Sequence, residues 1–118
     1  MANNKDFLVN GPVSVGKDTK VTVGSITASD IDLSTGNYFA DTLAANTTYT
    51  LSNAGAVQAF QLEVTGASTY TITWPSSIEW AGGIAPAAPA NGETDVFTFV
   101  TDDSGTTYTG VKSIDNAS

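Results

Sequence analysis

Apolar and polar residues alternate along most of this 118-residue chain, with the two-residue period of a half-buried β-strand. The clearest case is the segment 57–64, in which Phe60, Leu62 and Val64 share one face and polar side chains occupy the other. The same period predicts strands over residues 19–27, 31–33, 37–43, 47–51, 69–74, 95–101 and 106–111. The spacing of an amphipathic helix is always interrupted by Gly, Thr or Asn. The pattern therefore predicts an all-β protein.

Turn-forming residues separate the predicted strands at intervals of about 8 to 12 residues, as in an antiparallel sandwich or jelly roll. Residues 102–105 read Asp-Asp-Ser-Gly, which predicts a tight hairpin between the last two strands. Residues 82–92 contain too much Gly and Pro for a strand, so they are predicted to form an ordered surface loop that contacts a partner. We expect an antiparallel, jelly-roll-like β-sandwich of about eight strands.

The N-terminal segment differs from the rest of the chain. Its short apolar patches are separated by Asn-Gly-Pro at residues 10–12 and are too small to form a core. We therefore divide the chain into an extended N-terminal arm at residues 1–18 and a β-sandwich domain at 19–118. The arm either adds a strand to the domain or extends onto a neighbouring molecule. Its candidate partner contacts are Phe7, Leu8, Val9, Val13 and Val15.

Charge narrows the range of partners. Twelve acidic residues against four lysines give a net charge of −8, so the long-range field repels phosphate backbones and anionic lipids. We expect neither nucleic acid nor membrane as a partner. The chain has no cysteine, which excludes disulfides and thiolate zinc sites, and its first residues lack the apolar stretch of an export signal.

The sequence gives little support for a catalytic function. Histidine is absent, so the many Ser and Thr hydroxyls lack the usual general base. Asp102 and Asp103 could form a carboxylate pair, but their Asp-Asp-Ser-Gly setting favours an exposed turn. Residues 30–41 match a calcium loop poorly, because the glycine comes one position late and the twelfth residue is Asp rather than Glu. We expect no enzyme, no cofactor and no metal site.

The aromatic residues allow two interpretations. Trp74 and Trp80 could pack in the core, with Trp74 at one end and Trp80 beneath the loop 82–92. Alternatively, Trp80, Tyr108 and that loop could contact a glycan, because exposed aromatic rings stack on sugars. Exposure of the two tryptophans separates these interpretations.

Four segments carry a resemblance to a known family. They are DLSTGNYF at 32–39, NTTYTLSN at 46–53, ITWPSSIEWAGG at 72–83 and TDVFTF at 94–99. In this order and spacing they resemble a β-rich module of virion structural proteins from tailed bacteriophages, particularly phages of aquatic bacteria. The resemblance covers residues 31–110. The module occurs in tail fibres, head fibres and decoration proteins alike, so it implies a virion location more firmly than a position on the virion.

In the family the module is often appended to other domains, whereas here it follows only a short arm. The resemblance therefore implies a capsid decoration, or cement, protein, which is made in the host cytoplasm and bound to the outer surface of the head. Its partners would be the major capsid protein and itself, with a homotrimer expected at a capsid symmetry axis. The alternative is a tail- or head-fibre module that binds host-surface carbohydrate through Trp80 and Tyr108.

Overall fold

The computed structural model describes residues 23–117, and these form ten strands and one 3-10 turn. The strands are β1 (Ser25–Thr27), β2 (Asp30–Asp32), β3 (Tyr38–Thr42), β4 (Thr47–Thr48), β5 (Thr50–Ser52), β6 (Gln58–Thr65), β7 (Ile72–Thr73), β8 (Ile78–Trp80), β9 (Thr94–Thr101) and β10 (Tyr108–Ile114). The 3-10 turn, Ala81–Gly83, follows β8. In this part of the chain no helix is long and apolar enough to cross a membrane. The predicted boundary between arm and domain lies outside the described residues.

A five-stranded sheet in the order β3-β6-β9-β10-β8 forms the larger layer. Its centre is antiparallel, with β6 pairing β9 and β9 pairing β10. Phe60, Leu62 and Val64 of β6 all face the core, which confirms the predicted face of this strand. Because opposite residues of paired strands share a face, Phe97 opposite Leu62 and Phe99 opposite Phe60 face the core as well.

The second layer consists of a three-stranded sheet, β1-β2-β5, and a two-stranded sheet, β4-β7. Ile31 from β2 and Tyr49 from between β4 and β5 are fully buried in the same apolar cluster as the phenylalanines of the larger sheet. The fold is therefore an all-β sandwich with a single core between the layers. Each buried aromatic or aliphatic side chain of this kind stabilises the folded state by about 1.5–3 kcal/mol.

The strand pairing is mixed rather than antiparallel throughout, which corrects the sequence expectation. Four pairs are parallel: β3 with β6, β2 with β5, β4 with β7, and β8 with β10. A jelly roll is antiparallel, so this name does not describe the pairing of the described strands. Alternation along one strand fixes which side chains are buried, but it carries no information about the direction of the neighbouring strand.

The predicted strand at 47–51 is divided in two at Tyr49. The amide of Tyr49 donates to the carbonyl of Thr73 at 3.1 Å, while β4 pairs with β7 and β5 pairs with β2. A second difference is β8, a three-residue strand at the sheet edge that the sequence pattern missed. These two differences account for ten observed strands where about eight were expected.

The turn between β9 and β10 is organised by the Asp103 side chain. Its Oδ1 accepts hydrogen bonds from the Thr101 hydroxyl and the Thr107 amide, each at 2.9 Å, and its Oδ2 accepts from the Thr107 hydroxyl at 2.6 Å. These contacts hold residues 102–107 in the turn, so β10 begins at Tyr108 rather than at Thr106. The interpretation of Asp102 and Asp103 as turn residues is confirmed.

Replacing Asp103 by Asn should make stability less sensitive to acid. The Thr107 hydroxyl and amide hold the pKa of Asp103 below its usual value of 3.8, so this carboxylate stabilises the fold above that value. The contribution is lost as pH falls through the lowered pKa. We expect Asp103→Asn to lower the thermal midpoint at neutral pH and to flatten its decline between about pH 5 and pH 2. If the thermal midpoint of Asp103→Asn falls as steeply as that of the parent between about pH 5 and pH 2, this role of Asp103 is contradicted.

Candidate functional site

The five-stranded sheet presents a second side, which faces away from the core and carries exposed and half-buried residues. We call it the outer face and define it by the residues whose side chains alternate with the core positions. Register places on it Tyr38, Ala40, Thr42, Ala59, Gln61, Glu63, Thr65, Glu79, Thr94, Val96, Thr98, Val100, Thr109 and Val111. Polar side chains flank a central apolar patch on this surface.

Val100 and Val111 form that patch. Val100 lies opposite Thr109 and Val111 lies opposite Thr98, so the two valines are diagonal neighbours on adjacent strands. Their exposed fractions are 41% and 43%. They line a shallow depression of about 430 Å³, and its remaining lining residues are Glu79, Trp80, Ala81, Thr98, Thr109 and Gly110. A second depression of about 230 Å³ meets the first at Thr98 and extends across Ala59.

Polar groups of the outer face are paired with one another. The Tyr38 hydroxyl donates to Glu63 Oε1 at 2.5 Å, and this hydrogen bond raises the pKa of Tyr38. Gln61 Nε2 donates to the Thr98 hydroxyl at 3.3 Å, and that hydroxyl donates to Ser113 at 3.0 Å. These bonds fix polar side chains beside the valines, whereas the patch itself would gain from a covering surface.

The exposed apolar surface of the described residues is aliphatic. Its large members are Val23, Val57, Ile84, Val100, Val111 and Ile114, and Val57 and Ile84 are more than 70% exposed. All ten aromatic rings within residues 23–117 are buried or half-buried. This division is informative because aliphatic side chains suit contact with another protein, whereas sugars are bound mainly by stacking on aromatic rings.

Both tryptophans pack against the core. The Trp74 ring lies 4.9 Å from Phe97, 5.5 Å from Tyr49 and 5.1 Å from Trp80, measured between centroids. Trp80 in turn lies 5.5 Å from Phe99. Packing of both rings against the core, as the first of the two interpretations expects, is confirmed. The position of Trp80 beneath the loop 82–92 stays a prediction. The Trp74 indole nitrogen is buried within this aromatic cluster without a hydrogen-bond partner.

Tyr108 does not supply the exposed ring that the carbohydrate-binding alternative requires. It is 3% exposed and packs edge-on against Phe60 at 6.0 Å, and burial raises its pKa. Trp80 is half-buried and lines the depression beside the valines. The two residues therefore do not form a common aromatic platform.

The aspartates of the segment 30–41 are engaged in holding strands together. Asp30 accepts hydrogen bonds from the Thr50 and Ser52 hydroxyls, both at 2.7 Å, and so joins β2 to β5. Asp41 lies on β3, and its carboxylate accepts a hydrogen bond from the Tyr49 hydroxyl at 2.6 Å. Among residues 23–117 no three His, Cys, Asp or Glu side chains are grouped to hold a metal ion.

The loop after the 3-10 turn runs without a strand as far as Thr94, as predicted. Gly66 anchors it: the Gly66 amide donates to the Glu93 carbonyl at 2.8 Å, and the Gly92 amide donates to the Gly66 carbonyl at 3.0 Å. A side chain at position 66 would meet the backbone of Pro89 and Ala90, which explains the glycine. The loop is thus held against the body, with Ile84 exposed.

Sequence reasoning placed the candidate contacts in the arm, and Phe7, Leu8, Val9, Val13 and Val15 all lie outside the described residues. It missed the valine patch of the outer face. A signal was present, because β9 carries Val96 and Val100 at positions that alternate with Phe97 and Phe99. A strand with apolar residues on both faces indicates either a buried strand or a second contact surface.

Comparison with known proteins does not assign the chain to a group. No protein-family model matches the sequence, and neither a curated protein nor a solved structure matches the chain.

Proposed function

We propose that this chain is a capsid decoration protein, bound in many copies to the outside of a tailed-phage head. The observation that carries the proposal is the division of apolar residues, with aromatic rings packed in the core and exposed positions held by Val and Ile. Such a surface favours contact with protein over contact with sugar. It therefore supports the decoration role over the carbohydrate-binding alternative.

The four segments that resemble the phage module also meet in the folded chain. Residues 46–53 supply Tyr49, residues 72–83 supply both tryptophans, and residues 94–99 supply Phe97 and Phe99 of the aromatic cluster. Segment 32–39 adds Phe39, which packs edge-on against Phe60 at 6.1 Å. The segments that carry the resemblance therefore all contribute residues to the core. We take this common packing as support for treating them as one structural module.

The function we propose is mechanical. A protein that binds only the assembled lattice stabilises it by mass action, with a gain of about 2.7 kcal/mol per site when the free protein is at 100 times its Kd. The apolar arm residues, Phe7, Leu8, Val9, Val13 and Val15, would contact the major capsid protein. A homotrimer at a symmetry axis would place three arms on the lattice together. The acidic body would face solvent and limit unspecific association.

A binding assay on heads that lack the protein tests this function. We expect the full chain to occupy the heads to saturation and to raise their thermal disruption temperature, and a chain lacking residues 1–16 to bind at least about tenfold more weakly. Replacing Phe7, Leu8 and Val9 together by Ser provides a full-length counterpart to the truncation. Thr48→Ala, at an exposed position of β4, is the control and should bind normally. Retention on host cells or their polysaccharide, without binding to heads, would replace this proposal with the fibre module.

A further inference from the structure

Positive charge is concentrated at the N-terminal end of the chain. Residues 1–22 contain three of the four lysines, Lys5, Lys17 and Lys20, against two aspartates, which gives this segment a net charge of +1. The rest of the chain has a net charge of −9, which gives −8 for the whole chain. The segment also contains the apolar residues at positions 7–9, 13 and 15. It therefore combines aliphatic and aromatic side chains with basic ones, whereas the body is strongly acidic.

The outer face is apolar and acidic, which complements the apolar and basic segment at residues 1–22. Glu79 on β8 shares a row of the register with Val100 of the apolar patch, and Glu63 on β6 lies one row of this face beyond Val111. The patch is about two-fifths exposed. A second copy of the acidic body would be repelled by this surface, because both partners carry the same large charge. The basic, apolar segment at residues 1–22 is attracted to it.

The chain also enters the sandwich next to this surface. Val23 forms a parallel bridge with Tyr38, and the Gly24 amide donates to the Tyr38 carbonyl at 2.9 Å. Tyr38 is the first residue of β3, the edge strand of the five-stranded sheet, and its side chain belongs to the outer face. Val23, at which the described part of the chain begins, therefore lies at the border of the valine-bearing surface.

The available length is sufficient to reach the patch. Strands in a sheet are spaced by about 4.8 Å, so three or four spacings place β9 and β10 about 14–19 Å from Val23, which lies beside the edge strand β3. The chain between Val9 and Val23 has a root-mean-square span of about 20 Å if it behaves as a flexible linker. A tether of this length gives an effective concentration in the millimolar range. The chain's own segment thus competes well against the same segment of another copy.

We propose that residues 1–22 dock on the outer face of their own sandwich, with the apolar residues at 7–15 covering Val100 and Val111 and the lysines near Glu63 and Glu79. This inference goes beyond the decoration role, because it concerns the protein before it meets a head. Docking would keep the arm's apolar residues away from other copies in solution. The capsid lattice would then have to displace the arm from the outer face in order to bind it.

Cysteine cross-linking of the free, full-length protein tests the docking, and the absence of native cysteine gives a clean background. The test pair is Val9→Cys with Val111→Cys. The matched control is Val9→Cys with Thr48→Cys, which places the second thiol at an exposed position in the other layer. At micromolar protein and under a mild oxidant, we expect the test pair to close an intramolecular disulfide about tenfold faster, the factor that 1.4 kcal/mol of docking supplies.

Equal rates for the two pairs would overturn the proposal, because they would reflect the tether alone. Mainly intermolecular disulfides in the test pair would overturn it as well, since the segment would then dock on another copy. Adding Val100→Lys should return the test pair to the control rate, whereas Val100→Thr, which keeps the shape, should remain within about threefold of the parent. A fast rate retained with Val100→Lys would count against the patch as the docking surface. No heads are present in this assay, so its outcome is separate from that of the decoration proposal.

Discussion

Replacing Lys112 by Met should lower the free energy of unfolding by about 3–5 kcal/mol, which is a large part of the stability of a domain of this size. Methionine keeps the length and most of the volume of the lysine side chain, so the loss comes from the charge. The partner of that charge is Asp95, which is 1% exposed. A carboxylate buried so deeply without its cation has no water to solvate it.

The contacts around Asp95 explain the size of this effect. The Lys112 Nζ lies 3.2 Å from Asp95 Oδ2, and the amide of Asn116 donates to Asp95 Oδ1 at 2.9 Å. Asp95 stands opposite Val64, and Lys112 stands opposite Phe97, so both side chains emerge on the core side of the sheet. The pair thus connects the start of β9 with the end of β10 and with the residues after it.

Replacing the other partner, Asp95, by Asn should lower the free energy of unfolding less than Lys112→Met does. This difference between the two variants checks the explanation. The Lys112 side chain is 23% exposed and also lies 3.6 Å from Asp115, so its charge retains a partner and water in Asp95→Asn. Urea unfolding of the two single variants and the double variant gives the coupling energy directly. We expect Lys112→Met to be the most destabilised of the singles and the double variant to be more stable than the sum predicts. A loss below about 1 kcal/mol for Lys112→Met would mean that the pair is effectively solvated.

The periodicity of the sequence predicted the central strands well. The segment 57–64 forms β6, displaced by one residue, and its three apolar side chains face the core as expected. The segment 95–101 forms β9 with a single added residue. Both strands are long and lie inside the sheet, so burial of one face decides their pattern. Local sequence is sufficient in such cases.

Pairing partners could not be predicted from the same pattern. Strand β3 joins β6 in parallel across an intervening stretch that contains β4 and β5. Strand β8 joins β10 in parallel at the opposite edge, after the long loop and β9 have intervened. These are contacts between distant parts of the chain, and alternation describes only the faces of each strand. The short strand β8 also has too few residues to show a period.

The candidate site was predicted in outline only. Core packing of Trp74 and Trp80 was one of two interpretations that the sequence left open, and the valine patch depends on the register between β9 and β10, which alternation does not reveal. Register also brings Lys112 to Asp95, although the predicted last strand ended at residue 111. Observed β10 continues to Ile114 with a register shift after Lys112. A residue beyond a predicted strand therefore supplies the cation for the most buried carboxylate of the described residues.

Replacing Phe99 by Ala should also lower the free energy of unfolding by about 3–5 kcal/mol, because it opens a cavity at the centre of the core. Phe99 is 1% exposed. Its ring stacks on Phe60 with centroids 4.9 Å apart and lies 5.5 Å from Trp80. A side chain at Gly110 would come within 2.9 Å of this ring, so the backbone of β10 also packs directly on it. Little can move to fill the space.

Phe99→Ala has two matched controls, one at the same position and one at the next residue, whose side chain lies on the outer face. Phe99→Leu keeps most of the apolar volume and should lose only about 1–2 kcal/mol, whereas Val100→Ala, one residue later on the outer face, should lose less than about 1 kcal/mol. The tryptophan emission of Phe99→Ala should shift to longer wavelength, because Trp74 and Trp80 both contact the deleted ring. If Val100→Ala instead destabilised the chain as much as Phe99→Ala, the outer face would belong to a covered core rather than to a contact surface. The pair of variants therefore measures, within one strand, how much of the folding free energy depends on the core face of the sheet and how much on the outer face.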